Sequence, residues 1–327
     1  MGRSSPVAAI LLTACALACG GEPASTGSRQ RLRIAVIPKA TSHEFWQSVQ
    51  AGALKGGHDA DVEVLWKGPA REDDRDEQIK VVEGFLSRGI DAIVIAPLDK
   101  TALIAPLRDA KAEGIPVVII DSGIEWEGYD SFAATNNRLG GQLAAMTLGE
   151  VLGGSGKVLM MRYLEGSAST TNREEGFLET LMRDFPDIEI VSSDQYGGAT
   201  VESCQRTAED LLNRYTEIDG IFVPNESSTV AFLNALASLD RPSHTRLVGF
   251  DASEPLVDGL RSGAIYALIV QNPMAMGEIG VETAAALLRG ESVEKLIDTG
   301  VQVVTASNMD EPAIHDLLSP PLSDWLP

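Results

Sequence analysis

Short apolar runs recur along the chain, and between them lie stretches in which apolar residues fall three or four positions apart. The first pattern is that of strands and the second that of amphipathic helices. It predicts strands over residues 32–37, 62–66, 92–95, 117–120, 158–161, 188–191, 221–223, 247–250, 267–270 and 301–304. In DEQIKVVEGFLSRG, Ile79, Val82, Phe85 and Leu86 make one apolar helix face, which Gly89 closes. In GIPVVIIDSG an unbroken apolar run behind a proline reads as a strand buried on both faces. So many strands alternating with helices exceed one comfortable sheet. The fold class is therefore α/β, with two doubly wound domains of parallel strands. The pattern breaks in YDSFAATNNRLGG, where a short strand, 132–134, runs straight into a helix capped by Asn136 or Asn137. This break reads as a crossing between the two domains.

Two of the strands finish on a polar side chain, 247–250 on Asp251 and 267–270 on Gln271. In parallel α/β sheets ligands sit outside the carboxyl ends of the strands, so residues placed there face whatever is bound. For Asp251 a second role competes, that of capping the helix which starts at Ser-Glu-Pro.

The length of 327 residues accommodates two cores, and 44% hydrophobic with 22% charged residues is a globular composition. A net charge of −21 excludes nucleic-acid binding, which needs a basic face, and docking on an anionic membrane through a polybasic patch. The N-terminus changes the picture further. Arg3 precedes an uncharged apolar run, 7–17, too short to span a bilayer, and Ala18-Cys19 then leads into a Gly/Ser/Pro/Thr-rich stretch. This resembles a bacterial lipoprotein signal, with residues 1–19 as the signal and 20–30 as a flexible tether. Lipidation is expected at Cys19; Cys15, after Leu12-Thr13-Ala14, also fits, and an ordinary secretory signal is the remaining alternative. Each of these exports the protein to the periplasm or cell surface. Cys204 is then the one cysteine with a free thiol in the mature chain, a small buried side chain with no disulfide partner.

Enzymatic motifs fail on inspection. His43-Glu44 lacks a second His at helical spacing, GGSGK at 153–157 lacks the length and Ser/Thr of a phosphate loop, and EGSAS around Ser167 lacks the final Gly of a nucleophile elbow. No nucleophile stands beside a base, and neither a metal nor a cofactor is called for. A DNA-binding regulator is excluded by the exported N-terminus.

Read in order, IAVIPKATSHEFWQSVQAG, DEQIKVVEGFLSRGIDAIVIAPLDKTAL, AEGIPVVIIDSG, ATNNRLGGQLAA, TNREEGFLETL, DGIFVPNESSTVAFLNAL, VGFDASEPLVDGLRSG and ALIVQNPMAMGEIGVETAAALLRGE resemble one family. It is the periplasmic sugar-binding proteins of the ribose and galactose type, the substrate-capturing subunits of ABC importers. The matching pieces cover nearly all of residues 32–304. The resemblance implies two Rossmann-like lobes, 31–135 plus 272–300 and 136–271 plus 301–327, joined by a three-strand hinge that closes the cleft on its ligand.

It also implies the cleft residues. Phe45 and Trp46 match an aromatic pair that packs on the apolar faces of a sugar ring. Asp121 matches a ligand carboxylate, and Ser122 stands where the ribose-specific pattern has Arg, a departure that points away from ribose itself. Arg173 offers a two-pronged donor, Asn225 an amide, and Asp251 and Gln271 the remaining polar contacts. Lys39 and His43 precede the aromatic pair where small or amide residues are common; Lys39 in the cleft would admit an acidic or phosphorylated ligand, and Lys39 in solvent would not. Glu226 replaces the usual Asp, as a ligand contact or a helix cap, while Tyr196 and Trp126 lie in loops, for stacking or local packing. Asp99 is expected to cap a helix near the cleft, and the acidic run 72–77 to be a solvated helix start. The implied function is capture of a monosaccharide or similar polyol for the membrane permease of an ABC importer, by a monomer attached to the membrane only through its lipid. The alternative is a sensing lipoprotein that presents its ligand to a membrane histidine kinase or chemoreceptor.

Overall fold

Strands and helices alternate as the hydrophobic pattern requires. The first part of the computed structural model runs β1 (Arg33–Ile37), α1 (Glu44–Asp59), β2 (Glu63–Trp66), α2 (Arg75–Leu86), β3 (Ala92–Ile95), α3 (Ile104–Ala112), β4 (Val117–Ile120) and β5 (Ser131–Ala134). There follow α4 (Asn137–Val151), β6 (Ser155–Met160), α5 (Ala168–Asp184), β7 (Asp187–Ser192), α6 (Val201–Arg214), β8 (Gly220–Phe222), α7 (Glu226–Ser238), β9 (Arg246–Phe250), α8 (Glu254–Ser262) and β10 (Ala267–Val270). The chain ends with α9 (Pro273–Leu288), β11 (Leu296–Asp298), β12 (Gln302–Thr305), α10 (Pro312–Leu318) and a single 3-10 turn, Leu322–Asp324.

The structure describes residues 1–2, 31–41, 43–240 and 245–326. The chain divides into two compact units, Met1–Gln30 and Arg31–Pro327. Of the first only Met1 and Gly2 are described, so the rest of the expected signal, the tether, Cys15 and Cys19 lie outside the described residues. Among the described residues no helix is long and apolar enough to cross a membrane.

The strands form two six-stranded sheets, ordered β11-β5-β4-β3-β1-β2 and β12-β10-β9-β8-β6-β7. Every pairing is parallel except that of β10 with β12. The two-lobe α/β expectation therefore holds. The central strands are wholly buried, as their unbroken apolar runs predict for sheets covered on both faces. Strand β11 is absent from the pattern-based reading: it is three residues long, lies at a sheet edge, and exposes Leu296.

Two helices change lobes. Helix α4 follows β5 of the first sheet yet packs on β8, β9, β10 and β12, while α9 follows β10 of the second sheet yet packs on β1, β3, β4 and β5. Each pairs tightly with a helix of its adopted lobe, α9 with α1 and α4 with α5. A Cβ on Gly52 of α1 would lie 1.8 Å from the carbonyl oxygen of Met274, and one on Gly141 of α4 would lie 1.9 Å from that of Arg173. No larger residue fits at either contact. The crossings after β5 and β11 bond to each other, Thr135 Oγ1 donating to Gly300 O at 3.1 Å. Asn136, not Asn137, is the cap of α4, its Oδ1 accepting from Leu139 N at 3.1 Å. The final 3-10 turn returns from α10, which packs in the second lobe, to lie against α1 of the first.

Candidate functional site

The two sheets are laid out alike, and their third strands, β4 and β9, each end on an aspartate in the left-handed region, Asp121 at φ 60° and Asp251 at φ 71°. Outside glycine this conformation is rare and favours Asp or Asn. Each backbone N–H is tied to the neighbouring strand, Asp121 to Ala133 O at 3.2 Å and Asp251 to Ile269 O at 2.9 Å. Both carboxylates line one cavity between the lobes. Backbone strain of this kind gathers where a side chain has to be held at a site.

The cavity is small, about 30 Å³. It therefore takes one small, compact molecule. Lys39, His43, Phe45, Trp46, Asp121, Arg173, Asn225, Glu226, Asp251 and Gln271 all line it, so ten of the residues read from the sequence come together.

The first lobe supplies a paired cation and an aromatic wall. Lys39 is 4% exposed. Its Nζ sits 2.8 Å from Asp121 Oδ2 and donates to Ser169 Oγ at 2.9 Å. The second of the two readings of Lys39, a solvent-facing chain, is thus overturned. Phe45 and Trp46 meet edge to face, with ring centroids 4.9 Å apart. Trp46 Nε1 donates to Glu72 Oε1 at 2.6 Å.

The second lobe supplies the polar side. Arg173 is buried on α5 with its guanidinium 4.0 Å over the Phe250 ring. Its Nε donates to Asn137 Oδ1 at 2.7 Å and its Nη1 to Pro224 O at 2.8 Å. Asp251 accepts from Gln271 Nε2 at 2.6 Å and from Glu226 N at 2.9 Å, so it caps the first turn of α7; the cap position of α8 belongs to Ser253. Gln271 Oε1 is buried and has no partner. Burial pushes the Asp251 carboxyl up, against the pull of the Arg173 charge and the Gln271 amide. Burial pushes Arg173 down, against the charges of Asp251 and Asp121. Burial also pushes Glu226 up to about 8, against its bond from Phe45 N. That carboxyl is mostly protonated at neutral pH.

Several expectations need correction. Glu72 is no solvated helix starter: it is 7% exposed and accepts from Trp46 of its own lobe and, at Oε2, from Tyr163 OH at 2.9 Å. Its acidic neighbours do face solvent, but the opposite lobe covers this one. Ser122 lies behind the cavity wall, fully buried, its Oγ accepting from Ser169 N at 3.1 Å. Tyr196 is off the site and 48% exposed, because its loop is tied to Arg162 through Gln195 and Ser193. Tyr163, which the sequence reading passed over, takes the place in the wall instead, with Ser169 and Thr170 beside it. Trp126 packs in the first lobe's core, and Asp99 accepts from Thr101 N and Ala102 N ahead of α3. Cys204 is buried beside Gly198 O, and burial pushes its thiol up to about 12, which leaves no thiolate to react.

A family model for the periplasmic binding protein domain matches residues 34–292, most of the chain and all of the cavity wall. The chain belongs to the periplasmic binding protein family. Among its relatives is the D-ribose/D-allose-binding protein of Pseudomonas aeruginosa, 28% identical over 92% of this chain and 97% of that one. A carbohydrate transporter solute-binding protein from Agrobacterium radiobacter, solved in complex with D-arabinose, superposes with a TM-score of 0.86 at 33% identity over 89% of this chain and 100% of that one. An ABC transporter solute-binding protein from Agrobacterium vitis with bound D-fucose gives 0.85 at 34% identity, over 88% and 100%. The resemblance drawn from the motifs is therefore correct, and this periplasmic binding protein is a solute-binding protein rather than an enzyme.

Proposed function

We propose that the chain captures a single neutral monosaccharide or similar polyol between its lobes and delivers it to the permease of an ABC importer. The observation that carries this reading is a small cavity whose cations are already paired. Lys39 is neutralised by Asp121, and the buried Arg173 faces Asp251, so the wall offers carboxylate and amide acceptors without surplus positive charge. An acidic or phosphorylated ligand would find both cations already paired with Asp121 and Asp251 and a further carboxylate, Glu72, in the wall, with no free positive charge to hold it. Hydroxyl groups suit such a wall, and the rings of Phe45, Trp46 and Tyr163 suit the C–H face of a sugar. The relatives solved with D-arabinose and D-fucose support a compact pentose or deoxyhexose.

The ligand set we assign is Phe45, Trp46, Asp121, Arg173, Asn225, Asp251 and Gln271, with Lys39, His43 and Glu226 at its rim. The lobe division 31–135 plus 272–300 and 136–271 plus 301–327 is supported by the sheet membership of the strands, with the last turn crossing back onto α1. The Ala18-Cys19-Gly20 sequence supports anchoring through Cys19, with the mature chain working as a monomer. A ligand bound only by the folded chain raises its melting temperature, so a thermal-shift screen over D-arabinose, D-fucose, D-ribose, D-allose, uronic acids and sugar phosphates tests the function. Shifts confined to neutral sugars are expected. A shift with uronates or phosphates alone, or with no compound at all, would overturn the neutral-sugar reading. Loss of membrane attachment in Cys19→Ser tests the anchor.

A further inference from the structure

The helices that meet at the cleft are capped in an unusual way. The first amides of a helix have no partner within it, and the N-cap side chain ordinarily accepts from one of them. Four helices follow this rule, α2, α4, α6 and α9, capped by their own Asp74, Asn136, Thr200 and Asn272, whereas α3 and α10, away from the cleft, have no side-chain cap at all. At the cleft it fails for α1, α5 and α8, whose cap residues His43, Ser167 and Ser253 have extended backbones suited to capping but make no side-chain cap bond.

The missing bonds come from the opposite lobe. Ser169 N in the first turn of α5 donates to Ser122 Oγ of the first lobe at 3.1 Å, and Glu254 N of α8 donates to Glu44 Oε2 of the first lobe at 3.1 Å. In return Phe45 N of α1 donates to Glu226 Oε2 of the second lobe at 3.1 Å. The displaced caps are left idle. Ser167 is 2% exposed and Ser253 4% exposed, and the Oγ of each is buried without a partner. A buried unpaired hydroxyl is a cost borne only while the lobes are together, since parting them lets each serine turn to its own helix or to water.

We propose that Ser122, Glu44 and Glu226 are positioning residues that cap the opposite lobe's helices in the closed arrangement, and that when the lobes part Ser167 takes over Ser169 N from Ser122 while Ser253, whose next residue but one is Pro255, caps α8 through Leu256 N in place of the lost Glu44 bond. At α5 and α8 closure is then an exchange of caps rather than a gain of them, and only α1 gains one, from Glu226. The idle serines favour opening and the crossing side chains favour closing, so the balance is set largely by Ser122, Glu44, Ser167 and Ser253, which lie outside the ligand set. The inference rests on the reading that this chain works by hinge closure.

The exchange makes a prediction of unexpected sign. Removing a buried serine hydroxyl that merely supported the fold would weaken binding or leave it unchanged. Here Ser167→Ala and Ser253→Ala remove a cap only from the open state, so each should tighten sugar binding about five-fold, and the double variant roughly 25-fold, the equivalent of about 1 kcal/mol per cap. Ser122→Ala should not tighten binding, and Ser122→Ala/Ser167→Ala, uncapped in both states, should return to within two-fold or so of the parent. The variants are titrated with D-arabinose by calorimetry, with thermal melting to verify folding. The ligand-free full chain is followed in parallel by small-angle X-ray scattering, in which Ser167→Ala/Ser253→Ala should contract. Unchanged or weaker binding in both serine variants, without contraction, overturns cap exchange and leaves the sugar reading standing. Contraction in a chain that takes no sugar does the reverse.

Discussion

The two lobes share one sheet order and one strained aspartate, yet they furnish the cavity differently. In the first lobe Asp121 is bound to a cation, Lys39, and the helix after β1 presents Phe45 and Trp46. In the second, Asp251 is bound to an amide, Gln271, and the equivalent helix, after β6, presents Ser169, Thr170 and Arg173. A common scaffold thus places a carboxylate at the same point on either side, and the neighbours decide what each carboxylate does. Asp121 holds a charge in balance, while Asp251 organises the first turn of α7 and the Gln271 amide around a guanidinium. The first lobe offers a surface to lie on and the second offers the directional bonds.

Breaking the second lobe's half should have the largest effect. Arg173→Ala leaves Asp251 buried without its nearest cation, so sugar affinity should fall by more than about 100-fold by calorimetry while the circular dichroism spectrum stays native. Asp251→Asn keeps a residue tolerant of the left-handed backbone and should lose about ten- to 100-fold. Breaking the first lobe's half should change preference as well as strength. Asp121→Asn frees the Lys39 ammonium, so binding of a uronate should appear in the thermal-shift assay as binding of the neutral sugar declines; a variant that still rejects uronates would show that Lys39 is not held in check by Asp121. Glu72→Gln weakens the acceptor that orients Trp46 and Tyr163 and should cost about three- to ten-fold, visible also as a change in tryptophan fluorescence on binding.

The smallest effect concerns stability rather than binding. Glu174, beside Arg173, is buried against Arg162 Nη1 at 2.8 Å and Tyr163 N at 3.0 Å, and burial pushes its carboxyl up to about 7. The native state therefore holds a proton here that the unfolded chain, with an ordinary carboxyl, gives up. Stability from this group is complete below the unfolded value and is lost as pH rises toward 7. Melting temperature should fall by a few degrees between about pH 5 and pH 8, and Glu174→Gln should flatten that slope. An equal slope in parent and variant would assign the pH dependence elsewhere.

The strand pattern was legible because buried parallel strands need unbroken apolar runs, and Asp251, Gln271 and Asp121 were legible because each stands directly after such a run. Lys39 was legible as a residue but not as a direction, since what turns it inward is Asp121, 82 positions away in the chain. Glu72 and Tyr163 were not legible at all. Each sits in an irregular segment, and Glu72 lies in an acidic stretch whose other members do face water; only the lobe opposite distinguishes it. The same holds for Ser122, a neighbour of a ligand-type carboxylate that in fact serves a helix across the cleft. Local pattern carries information about faces and ends, whereas pairing across the cleft is set by the closed geometry.

The exchange of α4 and α9 between lobes governs the order in which the protein can be built. The first sheet lacks only its short edge strand β11 once β5 ends at residue 134, but the helix that seals one of its faces ends at residue 288, 154 residues later. At roughly 5–20 residues per second of synthesis, that face waits on the order of ten seconds or more, apolar and uncovered. The second lobe, closed by β12 and α10, is complete only at residue 318, 30 residues afterwards. Neither lobe can mature ahead of the other, so a chain cut anywhere between the crossings yields two halves that each lack a wall.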